Sequence, residues 1–377
     1  MIVLTFGIIL IGLNILTSRK FTPLFSILII ALILCFQDNC QNDFLGYQED
    51  YRLALTTGHL QDFSEHDTEP LWLFLVLTAS RIIPWWMFIS CLGLFESVVL
   101  YLFIKRFSKG SYAWISTILF YFTWNMMGMW MSLLRQGFVV SIMIAAFLVY
   151  EKKKKVLWPA ILMLTGFLIH NSSMVMIPLL SAYIYFDKYK KEKTHNLKRK
   201  NGIDLFPIIV TAGYFLLYSI KKMLLTDYLV ALGVLLGDNV PLTSYLDPSS
   251  AHGTSQFMEE VSWLIIFYDA VIVFVVSCLY KSTDLRMKWM CLLSLACAFG
   301  DMLLFGTGSL PRIIMYYSIF NIVVYPYVVQ SIRKKWGVIP AMAFVIMLIG
   351  YAIKTSLPWM TSDAWGGIGT YKFVFFQ

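Results

Sequence analysis

The stretch LRQGFVVSIMIAAFLVYEKKKKVLWPAILMLTGFLIH, residues 134–170, decides the fold. Two apolar runs flank a turn that holds Glu151 and Lys152 to Lys155. A helix crosses about 30 Å of hydrocarbon with about 20 apolar residues, at roughly 1.5 Å rise each. Two such runs joined by a basic turn read as a transmembrane hairpin whose turn stays on the cytoplasmic side. The far end of each run carries an ionisable side chain. At helical rise Arg135 lies about 25 Å from Lys152, and His170 lies about 22 Å from Lys155.

Working outward, the pattern recurs. Apolar segments occupy 2–17, 21–36, 85–104, 112–129, 132–150, 156–170, 172–186, 203–220, 262–280, 289–305, 313–330 and 337–354. Pro70–Ile83 is apolar but too short to span, and Pro84 interrupts it before the next segment. It reads as a half-helix dipping in from one side, tolerated only against protein or a watery cavity. The chain is 59% hydrophobic and 14% charged, against about 45–50% and about 25% for a soluble domain. Residues 1–377 therefore read as a single membrane domain. The predicted class is all-α and polytopic, with about 12 transmembrane helices plus a short re-entrant or interfacial helix. Met1–Leu16 is expected to be a retained helix, because Arg19 and Lys20 follow its apolar run instead of preceding it as in a secretory signal.

The charges orient the chain. One set of alternate loops holds Arg19–Lys20, Lys105–Lys109, Lys152–Lys155, the basic loop 187–202, Lys281–Lys288 and Arg333–Lys335, together 22 of the 30 basic residues. That face is expected to be cytoplasmic, with both termini on the other side. Acidic residues divide the opposite way, into outer loops 37–69 and 221–261. The net charge of +8 is thus a topology signal, and no basic stripe with stacking aromatics points to nucleic acid. Of six cysteines, Cys91, Cys278, Cys291 and Cys297 lie in apolar segments as small packing residues. Cys35 and Cys40 flank one helix end; no spacing resembles a zinc site, and no metal or cofactor is expected.

Arg135, His170 and Arg312 share a depth near the outer interface, Arg312 being about 31 Å from Arg333. An ionisable group in a span is a functional candidate by default, although snorkelling to headgroups would account for any one arginine. Guanidinium groups suit phosphate oxygens and stay charged when partly buried. Pro311 is placed to start a helix whose first N–H groups face an anion. Glu65, His66, Asp67 and Glu69 form an acidic cluster. A solvated loop explains Glu65 and Asp67, whereas Pro70 sets Glu69 at the membrane surface as the best placed carboxylate. Within spans, Glu96 reads as a structural polar contact, and Asp269 and Asp301 as counter-charges for an arginine. Trp124, Trp130 and Trp359 fit an interface belt, with sugar stacking as the other reading. Walker, nucleophile-elbow and HExxH patterns are absent.

These residues resemble the EpsG family of polysaccharide polymerases, functionally akin to Wzy O-antigen polymerases. The islands are Asp43-Phe44-x-x-Tyr47, Glu69-Pro70, Leu134-Arg135-Gln136 followed by a basic turn and His170-x-Ser172, and Arg312-x-x-x-Tyr316. One departure is Phe36-Gln37, where family members often carry an arginine before the first-loop aspartate; Arg81 or Arg312 would have to substitute.

The resemblance implies an architecture like membrane-embedded C-type glycosyltransferases, in the bacterial cytoplasmic membrane. It implies a donor and an acceptor that are both undecaprenyl-diphosphate-linked oligosaccharides, joined at the outer face, with a chain-length regulator as protein partner. Arg135, Arg312 and Arg81 would hold the diphosphate, and Glu69, Asp43 or His170 would take the acceptor proton. Tyr47, Gln136, Ser172 and Tyr316 would position substrate. Two readings compete: a lipid-linked oligosaccharide flippase and a membrane acyltransferase. The first should carry charges through the full depth and inverted repeats, which this sequence lacks. The second needs a cytoplasmic histidine, for which His195 is the obvious choice.

Overall fold

The computed structural model describes residues 2–16, 22–38, 40, 43–56, 69–108, 112–189, 205–221, 262–280, 284–304, 310–363 and 368–376. Glu65, His66, Asp67, His195 and nearly all of the expected outer loop 221–261 lie outside the described residues. The chain is an all-α multi-span membrane protein. Its helices run α1 (Ile2–Leu16), α2 (Thr22–Cys35), α3 (Asp43–Thr56), α4 (Pro70–Ser80), α5 (Trp85–Phe107) and α6 (Ala113–Tyr121). A π-helical turn, Trp124–Gly128, leads into α7 (Met129–Ser132), α8 (Leu134–Lys153) and α9 (Leu157–Ile169). A 3₁₀ turn, Asn171–Val175, precedes α10 (Met176–Tyr189) and α11 (Phe206–Ile220). Then come α12 (Trp263–Tyr280), α13 (Leu285–Leu304), a 3₁₀ turn at Leu310–Ile314, α14 (Met315–Ser318), α15 (Asn321–Trp336) and α16 (Val338–Thr361).

Five of these, α5, α8, α12, α13 and α16, are long and apolar enough to cross a bilayer. The bent pair Arg312–Ser318 and Asn321–Trp336, kinked by 43°, makes a sixth. Apolar stretches of α1, α2, α4, α9 and α11 are shorter, 10–17 residues. The expectation of about 12 crossings therefore depends on helices that do not reach a full span by length alone. Outward residues of the short and the full-length helices alike are apolar, as lipid demands: Ile8 in α1, Leu216 in α11, Phe267 in α12 and Ile346 in α16 are all more than 60% exposed.

The described residues form two compact units, one of Met1–Lys190 with Tyr325–Gln377 and one of Lys191–Val324. In the first, α2 packs on α5 and α5 on α8, and α8 pairs with α9. The α2–α5 contact is close because Gly93 has no side chain; a Cβ there would lie 2.6 Å from the Leu34 carbonyl carbon. Ser90 Oγ donates to the Cys35 carbonyl at 2.7 Å across the same contact. In the second unit α11, α12 and α13 pack in succession.

The basic hairpin of residues 134–170 forms as a helix–turn–helix. Lys154 ends α8 in the left-handed region at φ 53°, and its Nζ reaches Glu151 at 2.8 Å and Asp187 at 2.9 Å. Tyr183 Oη donates to the buried Glu151 at 2.5 Å. The basic turn is thus clasped onto α10, a contact that charge counting alone does not reveal.

Two features depart from the expected outer loop 37–69. Residues 43–56 are helical, with Phe44, Tyr51 and Ala54 buried and Glu49 and Arg52 turned outward. Gln37–Asp38 (β1) pairs antiparallel with Lys372–Phe373 (β2). Tyr371 Oη donates to the Ile33 carbonyl at 3.2 Å, Phe373 packs edge-on against Phe6, and Phe375 lies against Phe36. The carboxyl-terminal segment straps the ends of α1 and α2 just before α3. Ending the chain after Asp363 is expected to lower the melting temperature in detergent by several degrees, as loss of about 1–2 kcal/mol would. An unchanged melting temperature would mean the strap carries no stability. All six cysteines are free; Cys40 Sγ–H donates to Gln37 Oε1 at 3.7 Å.

Candidate functional site

Glu69 precedes Pro70, whose fixed φ and missing N–H suit the first helical position of α4. Glu69 itself is extended, at φ −62° and ψ 141°, and its side chain does not cap its own helix. It turns instead toward two other elements. Arg135 Nη1 donates to Glu69 Oε2. His170 Nδ1 lies 2.7 Å from Glu69 Oε1, and the Asn171 backbone N–H donates to that same oxygen at 3.1 Å. Glu69 is 7% exposed and its two cationic partners are about one-fifth exposed. Three segments distant in sequence are thus tied through one carboxylate.

Local structure explains each placement. Leu133 leaves helical geometry at φ −105° and ψ 66°, which ends α7 and sets Arg135 in the first turn of α8. A cation at a helix N-terminus meets the positive end of the macrodipole, so the carboxylate opposite offsets an unfavourable arrangement. His170 ends α9 in an extended conformation, φ −156° and ψ 115°, which turns both its ring and the next N–H to Glu69. The Arg135 guanidinium carbon lies 5.8 Å from the centre of the Tyr47 ring, and Tyr47 packs edge-on against buried Trp72 of α4. The Arg135 Nε is buried with no hydrogen-bond partner.

Burial pushes the Glu69 carboxyl up, but the His170 hydrogen bond and the Arg135 charge outweigh it. The group is held below its ordinary 4.5. A depressed carboxylate contributes stability above its unfolded pKa and loses it as pH falls through the folded value. Detergent-solubilised wild type is therefore expected to lose melting temperature as pH drops below about 4.5, and Glu69→Gln to lose less. Parallel curves for the two proteins would remove Glu69 from that linkage.

An ionised carboxylate only accepts hydrogen bonds, so His170 Nδ1 must carry a proton. In the neutral ring this leaves the lone pair on Nε2. The site thus contains a base nitrogen, a guanidinium with an unfilled N–H, and a carboxylate that orients both.

Of the residues read from sequence, the structure brings Glu69, Arg135, His170 and Tyr47 together. Asp43 opens α3 one turn ahead of Tyr47. Gln136 follows Arg135 and is 3% exposed, and Ser172 is in the turn after His170. Arg81 caps the other end of α4, about 18 Å along its axis from Glu69. Arg312 and buried Tyr316 belong to the second unit. In that unit Asp269 accepts from Tyr214 Oη at 3.3 Å, and Asp301 accepts from Cys297 Sγ at 3.4 Å. Glu96 is 2% exposed, against the backbone at Gly137. Sequence reasoning missed the Asn171 N–H and Trp72; the short-helix proline pattern was the one signal that pointed to Trp72. Among the described residues no group of three His, Cys, Asp or Glu could hold a metal.

A carboxylate that ties an arginine and a histidine at the ends of apolar helices places the chain in a class. It is a multi-span membrane protein with this cluster built into the ends of its helices. The family is settled by comparison: the model of the EpsG family matches residues 20–365, and the chain belongs to that family, whose members are Wzy-like polysaccharide polymerases. Comparison with curated proteins and with solved structures finds no match.

Proposed function

We propose that the protein joins undecaprenyl-diphosphate-linked oligosaccharide repeat units at the outer face of the bacterial cytoplasmic membrane, in O-antigen, capsule or exopolysaccharide synthesis. The acceptor hydroxyl of one unit attacks the anomeric carbon of the other glycan. A new glycosidic C–O bond forms, and the bond from that carbon to the diphosphate breaks. The lipid diphosphate departs as an anion, and the acceptor proton passes to His170 Nε2. Glu69 holds the required tautomer and stabilises the imidazolium that results. The N–H groups of Arg135 not engaged by Glu69 face the charge that develops on the leaving group. Asp43, one turn from Tyr47, is the other base in reach of that helix face. Gln136 and Ser172, beside Arg135 and His170 in sequence, complete the substrate contacts.

The observation that carries this reading is the single carboxylate bonded to both Arg135 and His170, which leaves one guanidinium N–H unfilled. A leaving group that is already a good anion needs charge stabilisation more than protonation, which suits arginine over a carboxylic acid. The test is purified protein in lipid vesicles with a lipid-linked repeat unit. A ladder of polymers with released lipid diphosphate is expected. A translocated but unpolymerised product would replace this reading with a flippase.

A further inference from the structure

Trp124 and Trp359 are 235 residues apart in sequence, yet their rings meet at 5.3 Å between centroids with a 57° tilt. Both belong to the first unit, which also holds Glu69, Arg135 and His170. Trp124 is carried by the π-helical turn Trp124–Gly128, a wide helical register that is rare and recurs at functional sites. Its ring lies flat along its own helix because Gly128 is a glycine. A Cβ at that position would sit 2.1 Å from Trp124 Cε3.

Trp359 is the more telling partner. A belt tryptophan keeps its indole N–H among headgroups and water, and a core tryptophan finds an acceptor. Trp359 does neither: it is 7% exposed, and its Nε1 is buried without a hydrogen-bond partner. An unmade buried hydrogen bond is unfavourable, and a ligand acceptor would recover its cost. Between Trp124 and Arg135 runs α7, which packs on both α8 and α3, the helices that hold Arg135 and Tyr47.

We propose that the Trp124–Trp359 pair is a glycan platform: one indole face receives the C–H face of a pyranose ring, and the Trp359 N–H donates to a sugar hydroxyl. The choice of a saccharide rests on the polymerase reading. A lipid tail would cover the rings equally well but would leave the N–H unpaired; a sugar satisfies both. Trp124 and Trp359 are then positioning residues that hold the oligosaccharide while its reacting end lies at His170 and Arg135.

The test is calorimetric titration of the protein in lipid nanodiscs with the oligosaccharide released by mild acid from the same cells' lipid-linked donor, and with maltotriose as an unrelated sugar. Trp359→Phe keeps an aromatic ring but removes the N–H together with the five-membered half of the indole; it is expected to weaken binding about fivefold. Trp124→Ala removes a ring, and Gly128→Ala displaces one; each is expected to weaken binding about tenfold. Wild-type affinity in Trp359→Phe and Gly128→Ala would overturn the platform, as would wild-type protein that binds neither sugar. The two readings fail separately. Saccharide binding that falls in Trp359→Phe, in a protein that makes no polymer, retains the platform and removes the polymerase. Normal polymer from Trp359→Phe with unchanged KM removes the platform alone.

Discussion

Alanine at position 135 is expected to slow polymer synthesis by about 10²–10³-fold, the usual effect of losing a donor aimed at developing charge. The substitution removes the N–H groups proposed to face the diphosphate and also leaves the buried Glu69 with His170 as its remaining side-chain partner. Arg135→Lys separates the two effects. Lysine keeps the charge, but as a point cation it cannot fork between Glu69 and a phosphate oxygen at once. It should recover stability and little activity, leaving the rate at least about tenfold down. Arg312→Ala is expected to lower the rate on its own, and Arg81→Ala to lower it least, since Arg81 is exposed at the far end of α4. The measurement is the initial rate of ladder formation at saturating donor. Near-normal synthesis by Arg135→Lys would dismiss the fork, and full synthesis by Arg135→Ala with Arg312→Ala would dismiss charge stabilisation of the leaving group altogether.

The helical, membrane-spanning character of the chain was legible because lipid imposes one requirement on every span, and apolar runs with basic turns report it directly. Residues 134–170 show this well: the two runs and the lysine turn became α8, α9 and the bend between them. The candidate site residues were legible for a related reason. Arg135 and His170 are polar where lipid disfavours polarity, so they stand out without knowledge of their partners. What sequence did not give was the partnership. Arg135 and His170 matched in depth, but depth is one coordinate, and the hub is Glu69, which position alone marked only as the best placed carboxylate. Its two oxygens are taken by a guanidinium, an imidazole and a backbone N–H, which is why the proposed reaction assigns the proton to His170 Nε2 and the orienting role to Glu69. The amphipathic α3 was hidden because an acidic, mixed stretch reads as loop until Phe44, Tyr51 and Ala54 are seen on one buried side. The β1–β2 strap was hidden for a simpler reason: two-residue pairing between segments more than 330 residues apart leaves no periodic trace.

That division of labour makes a sharper forecast than any single substitution. If Glu69 acts only through His170 and Arg135, the effects of changing Glu69 and His170 cannot add. Glu69→Gln keeps the shape but removes the charge that fixes the Nδ1–H tautomer, and His170→Gln removes the base itself. Each is expected to lower kcat by about 10²-fold, within the range that a positioned acid–base group contributes. The double variant should fall no further than His170→Gln alone, because members of one catalytic unit lose their function together. A merely structural Glu69 would instead lower the yield of folded protein and leave the rate per folded molecule in place. Multiplicative losses in the double variant would separate the two residues and return the proton to a different base, Asp43 first among them.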